Sequence, residues 1–483
     1  MADLDAARRE LEAALGAEDV LTDPLALRLY ARDASMVEGS AGIVAFPTSV
    51  EQVVGAMTIA AEHGLNVVPR GSGTGLAGGS TPIDDALVLV TSKMKRIGEV
   101  RVEDRLAWIE PGVFNLDVST HLGPTGFTYA PDPSSQQVSS IGGNVNTNAG
   151  GPHCLAYGVT SAHVLALDVV LPDGHLERFG SEGPAAPGYD LRGFVVGSEG
   201  TLGVVVGICI RLTPVAPAVR TMLLDFTTVD DCARTVSAIV ASGVVPAAME
   251  MMDQGIVRAA EDFAHAGYPT DAAAVLLVEV DGLEAGVAAQ AREVEAAATE
   301  HGVRTIRIAA DGGERALLWK GRKSAFGAVA KIAPHYHLHD CVVPRARLAQ
   351  MLTGVYAIAR KHDLIVTNVF HAGDGNLHPL FSFDRSVPGT LERVLAASDE
   401  LVRLCVDAGG ALSGEHGIGL EKRDFMPLVF SKDDLDAQAC LRSAFDPEGR
   451  MNPRKVLPDG ARCGDFAAAA LGRNGALPEG TWI

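Results

Sequence analysis

The sequence predicts an α+β protein of two or three domains, and three observations carry that expectation. The chain has 483 residues, too many for one ordinary core. Three glycine-rich loops, at 71–79, 130–151 and 197–203, each stand beside a short apolar strand. After Thr213-Pro-Val-Ala-Pro217 the pattern becomes strand (221–226), helix (229–242), strand (245–252), then strand (274–280), helix (284–301), strand (303–308). Two such units in tandem give a split, ferredoxin-like layout, an antiparallel sheet covered on one face. Thr213–Pro217 is the expected domain boundary, closing a first domain over 1–217.

Hydrophobic residues make up 47% of the chain and charged residues 21%, the balance of a soluble globular protein. Asp plus Glu number 60 against 40 Lys plus Arg, a net charge of −20. Such acidity argues against a nucleic-acid partner and requires a local basic pocket for any anionic substrate. The opening MADLDAARRELEAALG reads as an acidic amphipathic helix, not a targeting peptide. Apolar runs are short, so no membrane span is expected and cytoplasm is the default location. Seven cysteines, none in a C-x-x-C pair, fit mostly buried thiols in a reducing compartment and form no recognisable iron–sulfur or structural zinc motif.

In chain order, a helix over 49–63 leads into a buried strand, 65–70, and then Gly71-Ser-Gly-Thr-Gly-Leu-Ala-Gly-Gly79. Positions 73–78 spell G-x-G-x-x-G. Yet Gly78-Gly79-Ser80-Thr81-Pro82 breaks the helix a dinucleotide fingerprint needs, and 86–90 is another strand. A strand–loop–strand so rich in glycine offers instead a row of peptide N–H groups, a nest for a pyrophosphate, with Arg70 adding a charge-assisted contact. The alternative is an ordinary glycine-rich hairpin. The second stretch, 130–151, shows no apolar periodicity and reads as a long functional loop whose Asn, Ser and Thr suit a heteroaromatic ring. The third, 197–203, opens the strand 204–210. Together they point to one extended cofactor threaded among them.

Chemistry concentrates farther on. VFHAGDGNLHP (369–379) places His371 and His378 seven apart around a Gly-Asp-Gly-Asn turn, between strand-forming runs, and reads as a β-hairpin with converging imidazoles. Gly414-Glu415-His416-Gly417-Ile418-Gly419 adds a carboxylate and another histidine. Two His and one Glu form a ligand set with positions left open. In an extended segment Glu415 faces a metal and His416 faces the reacting group. Trp319-Lys-Gly-Arg-Lys323 is a positive cluster in which Arg322 is the candidate carboxylate clamp, the alternative being a solvated helix face. His335, His337 and His339 alternate along one strand face and are weaker metal candidates, since that face can equally be solvated.

The segments 69–79 (PRGSGTGLAGG), 130–151, 197–203 (GSEGTLG), 370–379 (FHAGDGNLHP), 413–419 (SGEHGIG) and 445–453 (FDPEGRMNP) resemble, in order and over nearly the whole chain, the FAD-linked 2-hydroxyacid dehydrogenases among the vanillyl-alcohol-oxidase-like flavoproteins. Within that family, 319–334 looks most similar to the FAD-binding catalytic subunits of bacterial glycolate oxidases, with D-lactate and D-2-hydroxyglutarate dehydrogenases next. The resemblance implies a two-part FAD-binding domain of the vanillyl-alcohol-oxidase type over 1–217, a ferredoxin-like cap over 218–424 and a C-terminal segment, 425–483, that returns to the first domain. It implies FAD contacts at Arg70, Gly71, Ser72, Gly73, Thr74, Gly75 and Gly78. Further contacts fall at Pro131, Asp132, Ser135, Gly142, Gly143, Asn146, Asn148, Gly151 and Gly158, then Glu199, Gly200, Val205, Asn376 and Asn452. No histidine lies in 70–79, so the FAD is expected to be non-covalent.

The same resemblance implies a divalent metal, zinc first with iron or manganese as alternatives, on His371, His378 and Glu415. His416 becomes the base and Arg322 the carboxylate clamp. The implied reaction is oxidation of glycolate or D-lactate to the 2-oxo acid, with metal-assisted proton removal and hydride transfer to flavin N5. Relatives that oxidise hydroxyglutarate carry a lysine two residues before the strand aspartate; Leu338 stands there, before Asp340, and favours a substrate with one carboxylate. Electrons must leave to a quinone, a cytochrome, oxygen or a partner. The resemblance favours FAD-binding and iron–sulfur partner subunits, with peripheral attachment to the inner membrane through them. A hydroxyglutarate-type enzyme, a flavin-free metal hydrolase and a non-catalytic FAD-binding subunit are the alternatives.

Overall fold

The computed structural model describes residues 4–183 and 188–460. They fall into two compact units, Met1–Ala149, Val159–Pro214 and Glu415–Ile483 forming the first, Gly150–Gly158 and Val215–Gly414 the second.

Among the described residues the first unit has two main sheets and a small two-stranded pair, Phe127–Thr128 with Thr213–Pro214. Helix Val50–Glu62 starts where the Ser49 hydroxyl accepts the Gln52 N–H, and it buries Val53, Ala56, Met57 and Ala60, a stripe at helical spacing. With helix Leu4–Leu15 it covers a sheet ordered Val20–Leu21, Ala41–Ala45, Ala86–Val90, Val67–Arg70, the last three parallel. Ala86–Val90 is buried at every position, the pattern of a parallel strand covered on both faces. The second sheet is antiparallel, ordered Ile97–Arg101, Leu106–Ile109, Val204–Arg211, Val164–Val170, Leu176–Gly180.

The stretch 130–151, expected as loop throughout, contains a helix, Ile141–Thr147. Ser140 caps it by accepting the Gly143 N–H, and Ile141 and Val145 bury its one apolar stripe. Two apolar positions are too few for periodicity to show in the sequence. Asn148 ends the helix in the left-handed region, at φ 51°.

In the second unit the strands Val303–Ile308, Ala218–Phe226, Ala274–Gly282 and Ala248–Asp253 lie side by side and antiparallel, the 4-1-3-2 order of a ferredoxin-like sheet. Strand Ile365–His371 extends it beyond Ala248–Asp253. The sheet is covered on both faces rather than one. Helices Val229–Ala241 and Glu284–Glu300 pack on one side. On the other, Gln254–Ala264 and Gly312–Ala328 bury Ile256, Val257, Leu318 and Trp319 against Leu223, Val275 and Leu277. The continuous apolar runs of these strands already carry that double coverage.

The chain returns to the first unit at Glu415, ten residues before the expected 425. The cause is local: the Ile418 and Gly419 N–H groups donate to Glu199, and that of Leu420 to the Ala77 carbonyl. Conversely, Gly150–Gly158 joins the second unit because the His153 ring stacks on Trp319 at 5.5 Å and the Tyr157 hydroxyl donates to Asp281. Among the described residues no helix is long and apolar enough to cross a membrane. Leu87, fully buried at the centre of the parallel sheet, is expected to cost about 2–5 kcal/mol when replaced by Ala. Denaturant unfolding of the Leu87→Ala variant followed by tryptophan fluorescence checks this.

Candidate cofactor cradle and active site

In the first unit the three glycine-rich stretches meet. A Cβ on Gly71 would lie 2.1 Å from the Ser140 hydroxyl, and one on Gly79 3.0 Å from the Glu199 carboxylate. The backbone of the first stretch therefore lies directly against side chains of the other two. Gly73 and Gly78 adopt φ of +74° and +76°, which L side chains rarely take, so the loop's path requires glycine there. Among the described residues, no peptide N–H from Ser72 to Gly79 donates to a backbone carbonyl. That is the row of donors expected of a phosphate nest. Arg70 lies against the loop at Gly73: it is buried, its Nη1 donates to the carbonyls of Arg32 and Ser80, and burial lowers its pKa.

The helix Ile141–Thr147 and the third loop are joined by backbone bonds, Gly197 N–H to Val145 O and Glu199 N–H to Asn146 O. Asn115 fixes the second stretch from behind, donating to the carbonyl of Pro131 and to the Asn144 side chain. Ser135 accepts the Val138 and Ser139 N–H groups through its carbonyl. Asn148 accepts the Ser161 N–H. Gly142 packs on Pro111, where a Cβ would come within 2.6 Å, and Gly200 turns at φ +73°. Asn452 donates through Nδ2 to the carbonyls of Gly79 (2.7 Å) and Glu199 (2.6 Å). Val205, expected to contact the cofactor, puts its side chain into the core of the antiparallel sheet, because it alternates inward on its strand.

Buried oxygens on Ser72, Ser139, Asn146, Ser198 and Asn452 find no hydrogen-bond partner in the protein. They come from the first, second and third stretches and the C-terminal segment. Buried polar atoms are normally satisfied. A polar cofactor lying across all of these segments would satisfy them, and the residues present fit FAD in that respect.

In the second unit, strand Ile365–His371 turns through a short 3-10 segment into Asn376–Leu377 and Pro379–Phe383, pairing His371 with Asn376 and Asn368 with Pro379. The hairpin brings the rings of His371 and His378 to 5.1 Å between centroids, edge to face. Both are buried. Glu250, on the neighbouring strand and directly across from His371, accepts from its Nδ1 at 2.7 Å. The other oxygen of Glu250 lies 2.5 Å from Nη2 of Arg322. Arg322 is not on a solvated helix face; it is fully buried, and its Nε and Nη1 find no hydrogen-bond partner. Asp340 accepts from the Ser413 hydroxyl (2.6 Å) and the Gly414 N–H (2.9 Å), and its second oxygen stands 3.5 Å from His378 Nε2. Asn376 packs beneath Gly414, whose Cβ would meet its Nδ2 at 2.5 Å. Gly151 and Gly158 also belong to this unit, at φ of +141° and +84°. His337 and His339 both meet the Ser398 hydroxyl, at 3.1 and 3.0 Å, and His335 is exposed, so the three do not share one site.

Glu415 and His416, back in the first unit, do not point opposite ways. Residues 414–416 form bends, not a strand, and His416 Nε2 stands 4.0 Å from Glu415 Oε1. Sequence reasoning passed over Glu250. Its signal was there: a lone carboxylate in the apolar strand Ala-Met-Glu-Met-Met.

Residues 41–180 match the family described as FAD binding domain, and residues 215–456 that described as FAD linked oxidases, C-terminal domain. Glycolate oxidase subunit GlcD of Escherichia coli (strain K12) is 42% identical over 436 residues, 90% of this chain and 87% of that protein. The Bacillus subtilis (strain 168) subunit of the same name is 38% identical, over 90% of this chain and 93% of that protein. A D-lactate dehydrogenase of Anaerostipes hadrus is 30% identical, over 91% and 92%. Among solved structures, p-cresol methylhydroxylase with substrate bound aligns at a TM-score of 0.80 and 16% identity, covering 94% of this chain and 96% of that one. The 4-ethylphenol oxidase of Gulosibacter chungangensis aligns at 0.79 and 18%, covering 95% and 98%. The fold is thus of the vanillyl-alcohol-oxidase type.

Glu199 supplies a test of the cradle. Burial drives its pKa up to about 7 despite the Ile418 and Gly419 N–H groups and the nearby Lys422 and Lys455. A carboxyl whose pKa is raised in the fold gives stability that is full below its unfolded value of 4.5 and lost as pH rises through about 7. Melting temperatures measured across that window are expected to fall less with pH in Glu199→Gln than in the parent.

Proposed function

The chain belongs to the FAD-linked oxidases and is an FAD-dependent oxidoreductase, and from that premise we propose that it oxidises glycolate or D-lactate to the 2-oxo acid. The observation that carries the reading is the buried trio Arg322, Glu250 and His371, which sets unpartnered guanidinium donors beside a converging histidine pair. The curated relatives named above as glycolate oxidase subunits and D-lactate dehydrogenase support the same substrate class.

His371 and His378 offer imidazole nitrogens suited to a divalent ion. Glu415 follows Gly414, whose N–H Asp340 holds, and would complete the set. When bound, FAD would supply the acceptor for two electrons, and a divalent ion held by His371, His378 and Glu415 would supply Lewis acidity toward the hydroxyl. Arg322 would bind the substrate carboxylate through the donors that Glu250 leaves open, fixing the orientation of the reacting C–H. His416 would take the hydroxyl proton on its imidazole. Leu338, packed against the core of the second unit, presents no cation to a second carboxylate, which favours glycolate or D-lactate over a dicarboxylic hydroxy acid. Because two relatives are named as subunits of an oxidase, we further propose that electrons leave to partner subunits, FAD-binding or iron–sulfur, and that those partners hold the protein at the membrane surface.

The test is anaerobic flavin bleaching by a panel of chiral hydroxy acids. Glycolate or D-lactate is expected to bleach it; a colourless protein, or one that no 2-hydroxy acid bleaches, overturns the reading. His416→Ala is expected to keep its flavin but lose roughly 10²–10⁴-fold in the rate of bleaching, measured by stopped flow. Arg322→Lys is expected to raise KM about tenfold or more, since an ammonium cannot present the planar fork, and initial rates against glycolate concentration read this.

A further inference from the structure

We infer that Glu250 is a positioning residue: it fixes the tautomer of one metal ligand and spaces that ligand from the carboxylate clamp. The inference rests on the reading of His371 as ligand and Arg322 as clamp, and it gives Glu250, so far only the neighbour of both, a role of its own.

Glu250 is 0% exposed, in a strand where every neighbour is buried. A buried carboxylate is retained only against compensating partners. Glu250 has two, one on each oxygen. Oε1 meets Nδ1 of His371, its antiparallel cross-strand neighbour, at 2.7 Å; Oε2 lies 2.5 Å from Nη2 of Arg322, brought in by helix Gly312–Ala328.

Two consequences follow. Beside a guanidinium the carboxylate is an acceptor only, so Nδ1 of His371 carries the hydrogen and Nε2 keeps the lone pair a metal requires. Second, one carboxylate is a short rigid spacer. With His371 on one oxygen and Arg322 on the other, the points that receive hydroxyl and carboxylate are held close together. Such spacing suits an acid whose hydroxyl and carboxylate sit on adjacent carbons and disfavours a 3-hydroxy acid.

The experiment titrates Zn²⁺ into metal-stripped, FAD-loaded protein, comparing the parent with Glu250→Gln. An amide cannot accept from both partners. A second variant, Glu250→Met with Arg322→Met, removes both charges together and so leaves no unpaired buried ion to prevent folding. Both are expected to keep their FAD and lose roughly 10–100-fold in Zn²⁺ affinity. In Glu250→Gln, the ratio of kcat/KM for D-lactate over D-3-hydroxybutyrate is expected to fall. Parent-like Zn²⁺ affinity in either folded variant overturns the inference, and a lower melting temperature with unchanged affinity marks Glu250 as merely structural. An unchanged substrate ratio overturns the spacing role. A parent protein that takes up no Zn²⁺ overturns the metal reading itself, a result distinct from all of these.

Discussion

The cofactor cradle hangs on one residue, Glu199, and on the cost of burying its charge. Its carboxylate accepts the N–H groups of Ile418 and Gly419 at the end of the Glu415-His416 turn. Its peptide N–H donates to the Asn146 carbonyl, and its own carbonyl accepts from Asn452. Three separate segments are thereby tied to a single position, which sits at φ 54°, unusual for a residue with a side chain. Gly79 and Gly417 lie so close that a Cβ on either would come within 3.0 Å of the carboxylate. Glycine in these motifs is therefore a packing requirement as much as a means of approaching a ligand.

A second buried carboxylate shows what decides the sign of such arrangements. Glu279 in the second unit is as deeply buried, yet its pKa lies well below the usual range. Burial pushes it upward, but the fork of Arg315 and the ring of His153 outweigh that, and Thr221 and Trp319 donate as well. Glu199 has two peptide N–H groups and the charges of Lys422 and Lys455, and against these burial wins. Charge-assisted, bidentate donors hold a buried anion in its ionised form; neutral peptide donors do so less strongly. Glu279 is consequently a firm anchor for Gly150–Gly158, through His153 stacked on Trp319.

Much of this was legible in the sequence because the informative signals are local. The hairpin at His371 and His378 follows from a glycine-rich turn between strand formers, and the ferredoxin-like strand order from two strand–helix–strand repeats. The missed features depend on partners far along the chain. The helix at Ile141 has two apolar residues and relies on a cap and on Pro111. The orientation of Arg70 depends on carbonyls of Arg32 and Ser80. The relative orientation of Glu415 and His416 differs from that of an extended strand because the chain bends at 414–416. Glu250 acquires meaning only when register sets it opposite His371 and helix packing delivers Arg322.

That trio also bears on how a chain with a net charge of −20 handles an anionic substrate. Long-range attraction is not available from the whole molecule, since the summed field of so acidic a chain repels anions. Nor does Arg322 offer an uncompensated charge, because Glu250 stands beside it. With Arg322 as the clamp proposed above, what remains would be a short-range device: a guanidinium already desolvated, with donors left unpartnered. The cost of stripping water from the cation is met in folding, with Glu250 as its counter-ion, and is not levied again on binding. A carboxylate that arrives in the right geometry gains charge-assisted hydrogen bonds in a low-dielectric site, whereas one that does not fit leaves buried donors unsatisfied. Discrimination among anions in such a pocket rests on geometry, and net charge contributes little to it.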